Sequence, residues 1–416
     1  MVKKVFKVIG IVIGSLLIVC LLAVGILYLI APKQPKPKYP IGTVEDLDNY
    51  FQEITEKQVP PSVSVAAYKQ GELAYEKAFG YADYPEKIMA ETSTIYPWWS
   101  VTKLFTATAV MQLVEEGMID LEDTAEKYLP YFPVYSKEGV KKDITIRQLL
   151  MHKSGLKSIM PDLLKWIHPE GEETPGVTEF FKEKIVTDFN ELSYEPGSKS
   201  KYTNTAYIVL GAIIEEVTGV KYEDYVTENI LKPLEMDGSS FIRNEEQSKR
   251  TARPSNPVIN TYTALMLIFG DRGFYKDYVV NNVEGHHWFR YVYPDFTPSS
   301  ALGGTAEELA RFGQLFLDEG IYKGKRILEA GSVELMLADY KLVELDKEYS
   351  DDTTKSIGFK VWNLNNSVAY GHGGGGLGYG AMMAIIQERE LVFSINANDT
   401  NINRNVLIEA LASVEW

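Results

Sequence analysis

The chain has 416 residues, 45% hydrophobic and 24% charged, ample for a large buried core and too apolar for a disordered polypeptide. Its net charge of −15 understates the acidity of the main body: residues 1–44 carry six lysines and no acid, leaving 36 basic against 57 acidic residues beyond them. A surface that acidic repels nucleic acid and anionic lipid head groups, and the lone cysteine, Cys20, excludes disulfides within the chain.

The first predicted element is a membrane anchor within residues 1–31. Val8 to Ile30 is an uncharged run of 23 residues, which as a helix covers about 34 Å, enough for a hydrocarbon core of roughly 30 Å. The run exceeds the usual signal-peptide core, and Leu27-Tyr28-Leu29-Ile30 offers no small-residue cleavage pattern. Leu17-Ile18-Val19 before Cys20 also lacks the small residue of a lipoprotein processing site, so Cys20 reads as a packed or lipid-facing apolar residue. Residues 32–44 follow as a linker. Its prolines and lysines (Pro32, Lys33, Pro35, Lys36, Pro37, Lys38, Pro40) favour an extended, semi-rigid spacer that holds the domain a short way off the bilayer.

Residues 45–416 read as one α+β domain. Ser62 to Tyr68 and Glu72 to Phe79 form a hairpin about the Gln70-Gly71 turn. Ser100-Val101-Thr102-Lys103 opens an apolar run, Leu104 to Val114, with Gly117 as its stop, which predicts a helix buried nearly all round. Ser100 and Lys103, three apart, share a face of that helix. Taken alone, Lys103 at a helix end would snorkel to water. Buried, its ammonium must be paired or lose its proton, and a neutral amine could take a hydroxyl proton from Ser100.

Glu195-Pro196-Gly197 marks a loop, and Ile208 to Glu216 a buried helix, placing Tyr202 and Asn204 on the junction between them. Alone, these read as a packed tyrosine and a helix cap. His286 to Tyr291 is aromatic-rich and serves equally as cleft wall or core packing. Thr305 opens another helix. Gly358 to Trp362, Ala381 to Gln387 and Leu391 to Asn396 are strands, and Val406 to Val414 a closing helix. Before the second of these strands, Gly371-His372-Gly373-Gly374-Gly375-Gly376 lets a ligand approach backbone N–H groups closely.

The ordered set Ser100-x-x-Lys103, Tyr202-x-Asn204 and His372-x-Gly374 resembles the serine β-lactamase-like family, which includes penicillin-binding proteins, D-amino-acid peptidases and esterases. Asp143 to Leu156, Lys232-Pro233-Leu234-Glu235-Met236 and Gly303 to Phe312 are similar to further segments of that family, with Glu235 replacing its usual glycine. The resemblance implies an antiparallel sheet built from N- and C-terminal strands, a helical lobe inserted between them, and a cleft where the two meet. It implies Ser100 as nucleophile, Lys103 or Tyr202 as its base, and Asn204 orienting Lys103 and the substrate. His372 and Gly374 would line the substrate site, and the backbone N–H groups of Ser100 and Gly375 would form the oxyanion hole. It further implies a catalytic domain on the extracytoplasmic side, since three lysines flank each end of the anchor and leave charge bias silent.

The resemblance is to the class C, D-aminopeptidase and esterase branch, and His372 and Gly373, standing where β-lactamases usually carry lysine and a hydroxyl, point toward its esterase and D-amino-acid peptidase members. Expected substrates are therefore D-alanyl peptides, D-alanyl esters or β-lactams of the cell envelope, with a non-hydrolysing penicillin-binding sensor as the alternative. No cofactor is expected. The glycines near His372 satisfy a dinucleotide pattern but precede a strand, no G-x-S-x-G is present, and the five histidines form no metal motif.

Overall fold

The two strand groups pair with each other. A computed structural model describes residues 40–416 except 161, 173, 261–276, 339–353 and 365–366, together with 31–38 and six isolated positions between 14 and 29. The predicted anchor over residues 1–31 lies largely outside the described residues; among these, no helix is long and apolar enough to cross a membrane.

After helix α1 (Val44–Glu56) come strands β1 (Ser62–Lys69) and β2 (Glu72–Asp83). Their turn has Gln70 at φ 53° and Gly71 at φ 81°, the paired positive angles that match the twist of a two-residue hairpin. At the other end lie β3 (Lys360–Leu364), β4 (Ser367–Gly376), β5 (Tyr379–Ile386) and β6 (Leu391–Ala397). Described strands form one antiparallel sheet in the order β3-β4-β5-β6-β1-β2, extended at its edges by the short pieces Thr354–Lys355 and Ile88–Met89. Val63 pairs with Ala397 and Lys69 with Leu391, so the chain's two ends close side by side. The glycine run, to which the sequence assigns no element, belongs to the sheet: Gly371 to Gly376 are themselves ladder residues of β4, opposite Ala384 to Tyr379.

Helices cover both faces. On one, α1 and the C-terminal helix α5 (Arg404–Ser413) bury Leu47, Phe51, Leu407 and Leu411 against Val65, Ile395 and Trp362. On the other lies α4 (Ala306–Leu317), followed by the helical lobe containing α2 (Thr102–Glu115) and α3 (Asn204–Thr218). Every residue of α2 from Thr102 to Leu113 is buried, as its uncharged apolar run predicts, and the helix runs through the centre of the lobe. Residues 31–38 are not a free-standing spacer. The Gln34 amide donates to the Tyr50 hydroxyl (2.9 Å) and accepts from the Asn403 N–H (2.9 Å), and Tyr50 donates to the Pro35 carbonyl (2.8 Å). These contacts satisfy polar groups that α1 and α5 would otherwise leave unpaired, which draws the segment onto the domain.

Candidate active site

Ser100 sits in a single 3-10 turn, Trp99–Val101, that leads directly into α2. The preceding residue, Trp99, is held at φ 48°, a left-handed conformation that costs a non-glycine residue on the order of 1–3 kcal/mol. Its surroundings hold it there. The Thr102 hydroxyl donates to the Trp99 carbonyl (2.7 Å) and accepts from the Leu302 N–H (3.0 Å). A methyl group at Gly376 of β4 would lie 2.4 Å from the Trp99 indole, so the ring rests directly on that strand.

Lys103, one turn into α2, is fully buried. Its Nζ donates to Ser100 Oγ (3.3 Å), Asn204 Oδ1 (2.7 Å) and the Ser299 carbonyl (2.9 Å). Three acceptors match the three protons of an ammonium, which offsets the cost of burying it. The Tyr202 hydroxyl lies 2.8 Å from Ser100 Oγ and 3.3 Å from Asn204 Oδ1. One amide oxygen thus receives both the amine and the phenol.

The junction carrying Tyr202 and Asn204 is braced from below. Thr203 caps α3, its hydroxyl accepting from the Thr205 N–H. The Thr203 N–H in turn donates to His152 Nδ1 (3.2 Å), which makes that nitrogen an acceptor and puts the ring's N–H on Nε2. The His152 and Tyr202 rings are 4.6 Å apart.

From the sheet side, His372 places its ring 6.0 Å from that of Tyr202. Gly374 makes the closest approach: a Cβ there would stand 1.8 Å from the Trp98 carbonyl and 2.9 Å from the Ser100 nitrogen, so only glycine fits. Gly375 would direct a Cβ at Arg404, away from the lobe.

Ser100, Lys103, Tyr202 and Asn204 therefore converge, with His372 and Gly374 facing them across the cleft. The His286–Phe289 strand does not join them. It pairs with Ser255–Pro257 and Val279–Val283, and Trp288, fully buried, stacks toward Tyr84, so this aromatic stretch packs rather than lines the site. Among the described residues no group of three His, Cys, Asp or Glu side chains could hold a metal ion. Sequence reasoning missed the Ser299 carbonyl, the bracing by His152, and Lys360, which is buried with its Nζ 5.0 Å from the Tyr202 ring centre. Only Lys360 left a readable signal, a lysine between Phe359 and Val361 in an apolar strand; a backbone carbonyl leaves none.

A model of the β-lactamase family matches residues 47–414. The chain is 33% identical over 221 residues to protein flp of Staphylococcus aureus strain MRSA252, an alignment covering 52% of this chain and 43% of that protein. It is 25% identical over 357 residues to penicillin-binding protein 4* of Bacillus subtilis strain 168, covering 83% of this chain and 70% of the other. The chain thus spans less than half the length of flp. Among solved structures, the octameric penicillin-binding protein homologue from Pyrococcus abyssi superposes with a TM-score of 0.69 at 24% identity, covering 89% of this chain and 76% of that one. The D-amino acid amidase from Ochrobactrum anthropi SV3, complexed with L-phenylalanine amide, superposes with a TM-score of 0.66 at 21% identity, covering 88% and 99%. At those identities the likeness is one of fold.

Proposed function

The chain belongs to the β-lactamase family, and from that premise we propose that it is a serine hydrolase that forms an acyl-enzyme on Ser100. The observation that carries the reading is the placement of Lys103 Nζ and the Tyr202 hydroxyl within 3.3 and 2.8 Å of one serine oxygen. A serine hydroxyl is inert near neutral pH until a base takes its proton. Lys103, surrounded by three acceptors, is best suited to remain an ammonium. Tyr202, as its phenolate, is then the base: it takes the Ser100 proton and becomes the phenol as Oγ attacks the substrate carbonyl carbon. The negative charge on the carbonyl oxygen is met by the backbone N–H groups of Ser100 and Gly375. As the tetrahedral intermediate collapses, Tyr202 returns the proton to the departing amine or alkoxide. The Tyr202 phenolate then takes a proton from water as the water attacks the acyl-enzyme, and returns it to Ser100 Oγ as the acid is released.

The substrate class is a D-alanyl peptide, D-alanyl ester or β-lactam of the cell envelope. The names of relatives and structural neighbours support it, spanning penicillin-binding proteins and a D-amino acid amidase. His372 and Gly373, in place of lysine and a hydroxyl, incline it toward peptides and esters. We further propose that Val8 to Ile30 anchors the chain in a membrane with the catalytic domain outside the cytoplasm, on the strength of 23 uncharged residues. Protease protection of the domain in sealed inside-out vesicles, with release only by detergent, is the expected result for that topology.

Intact-mass measurement of the purified full chain, mixed separately with benzylpenicillin, a D-alanyl-D-alanine peptide and a short acyl ester, tests the chemistry. Turnover with a transient adduct that Ser100→Ala abolishes is expected. A persistent adduct would identify a sensor instead, and no adduct with any of the three overturns the acyl-enzyme.

A further inference from the structure

Lys360 is a second lysine at this site, and neither its motif position nor the relay described above assigns it a role. It lies on β3, opposite Gly371 and one residue short of His372 in register. Only 2% of its surface is exposed. Lysine is seldom buried that deeply unless its charge meets another group. Its Nζ stands 5.0 Å from the centre of the Tyr202 ring, while Lys103 Nζ stands 4.9 Å from the same point. The Tyr202 ring therefore has two amines about equally close to its centre, one supplied by the helical lobe and one by the sheet. Among the described residues, the His152 ring at 4.6 Å and the His372 ring at 6.0 Å also face it.

We propose that Lys360 is a positioning residue for the reaction: its ammonium, acting with that of Lys103, stabilises the phenolate of Tyr202 and so sets the pH above which the base is available. This rests on the reading of Tyr202 as the base of a Ser100 acyl-enzyme. A cation at about 5 Å favours the anionic form of a neighbour, and in the partly desolvated setting of a cleft the effect is one pKa unit or more. Because the phenolate is the active form, losing the cation raises the phenol pKa and moves the acidic limb of the rate profile to higher pH.

The experiment measures kcat/KM of the full chain for 4-nitrophenyl acetate from pH 5 to 10. It compares wild type, Lys360→Met, Lys360→Arg and Ser100→Ala. Lys360→Met should shift the acidic limb upward by at least about one pH unit, and Lys360→Arg should bring it back toward wild type, since arginine keeps the charge. An acidic limb unmoved in Lys360→Met overturns the proposal, including the case where only KM rises. Activity surviving in Ser100→Ala instead overturns the acyl-enzyme reading itself. A readout independent of the variant's folding comes from wild-type protein labelled with [13Cζ]tyrosine, with the Tyr202 signal identified by its loss in Tyr202→Phe. Titration of that signal well below pH 10 is expected, and titration at or above pH 10 overturns the proposal.

Discussion

On the proposed reading, Ser100 and Tyr202 divide the chemistry between an oxygen that attacks and an oxygen that carries the proton, so they should fail differently. Ser100→Ala removes the acyl-enzyme altogether. Tyr202→Phe keeps the ring against His152 and His372 but loses the hydroxyl, and kcat should fall about 10²–10⁴-fold, the usual share of a general base; steady-state assays on the ester probe read this directly. Elsewhere, Asp399 makes a different demand. It is buried next to Asn401, whose N–H it accepts at 2.7 Å, and burial pushes its carboxyl up from 3.8 to about 7. Between those values the folded state holds a proton that the unfolded chain releases. Asp399 therefore costs nothing at pH 3 and progressively destabilises the fold as pH rises toward 7. Asp399→Asn should be more stable than wild type at pH 8 by roughly 3 kcal/mol relative to their difference at pH 4, measured by urea unfolding at both pH values. The cluster of Ser100, Lys103, Tyr202 and Asn204 was legible in the sequence because such a hydroxyl–amine–phenol–amide set fixes residue type and short spacing. The third acceptor of Lys103 was not, since any residue can offer a carbonyl and only the tertiary fold brings Ser299 to it.

At the level of elements, the site depends on β4 passing within contact of the turn before α2. Gly374→Ala would drive a methyl into the Trp98 carbonyl and push the strand from Ser100. Hydrolysis should fall at least tenfold while circular dichroism stays native, because the collision is at one rung of a well-paired ladder. A second case is Glu235, which follows Leu234 at the position where the family's segment carries glycine. It is held at φ 55°, and the Arg311 guanidinium donates to its carbonyl at 2.7 Å. An L side chain at that angle costs about 1 kcal/mol, so Glu235→Gly should unfold at higher denaturant than Glu235→Ala, by about that amount. Comparing these two variants cancels the loss of the surface pair with Lys323. The departure from the family pattern was visible in the sequence; the strain behind it needed the backbone angle. Strand existence was likewise legible for β1, β2, β5 and β6, where β-branched and aromatic residues cluster. The glycine run gave no strand signal because glycine carries no side-chain periodicity, yet its backbone pairs residue for residue with β5.

Across the whole molecule, one sheet joins both ends of the chain, with α1 and α5 on one face and α4 and the helical lobe on the other. The α+β class and the inserted lobe were legible because hairpin and strand signals stand at both ends with helices between. The course of residues 31–38 was not: proline content indicates an extended backbone but says nothing of what it rests on. Here Gln34 joins α1 to the start of α5 through Tyr50 and Asn403. Gln34→Ala should release the segment and speed tryptic cleavage after Lys33 or Lys38 severalfold without changing the unfolding midpoint of the domain, followed by mass spectrometry over time.

That docking also fixes geography. Gln34 is four residues past Ile30, and four residues span at most about 14 Å. With the apolar run inserted in a bilayer, the domain could neither drift outward nor turn freely; it would stand on the lipid surface by its α1–α5 side. Its choice of substrate would then be set partly by altitude, favouring acyl groups presented close to the membrane over identical ones held deeper in the wall.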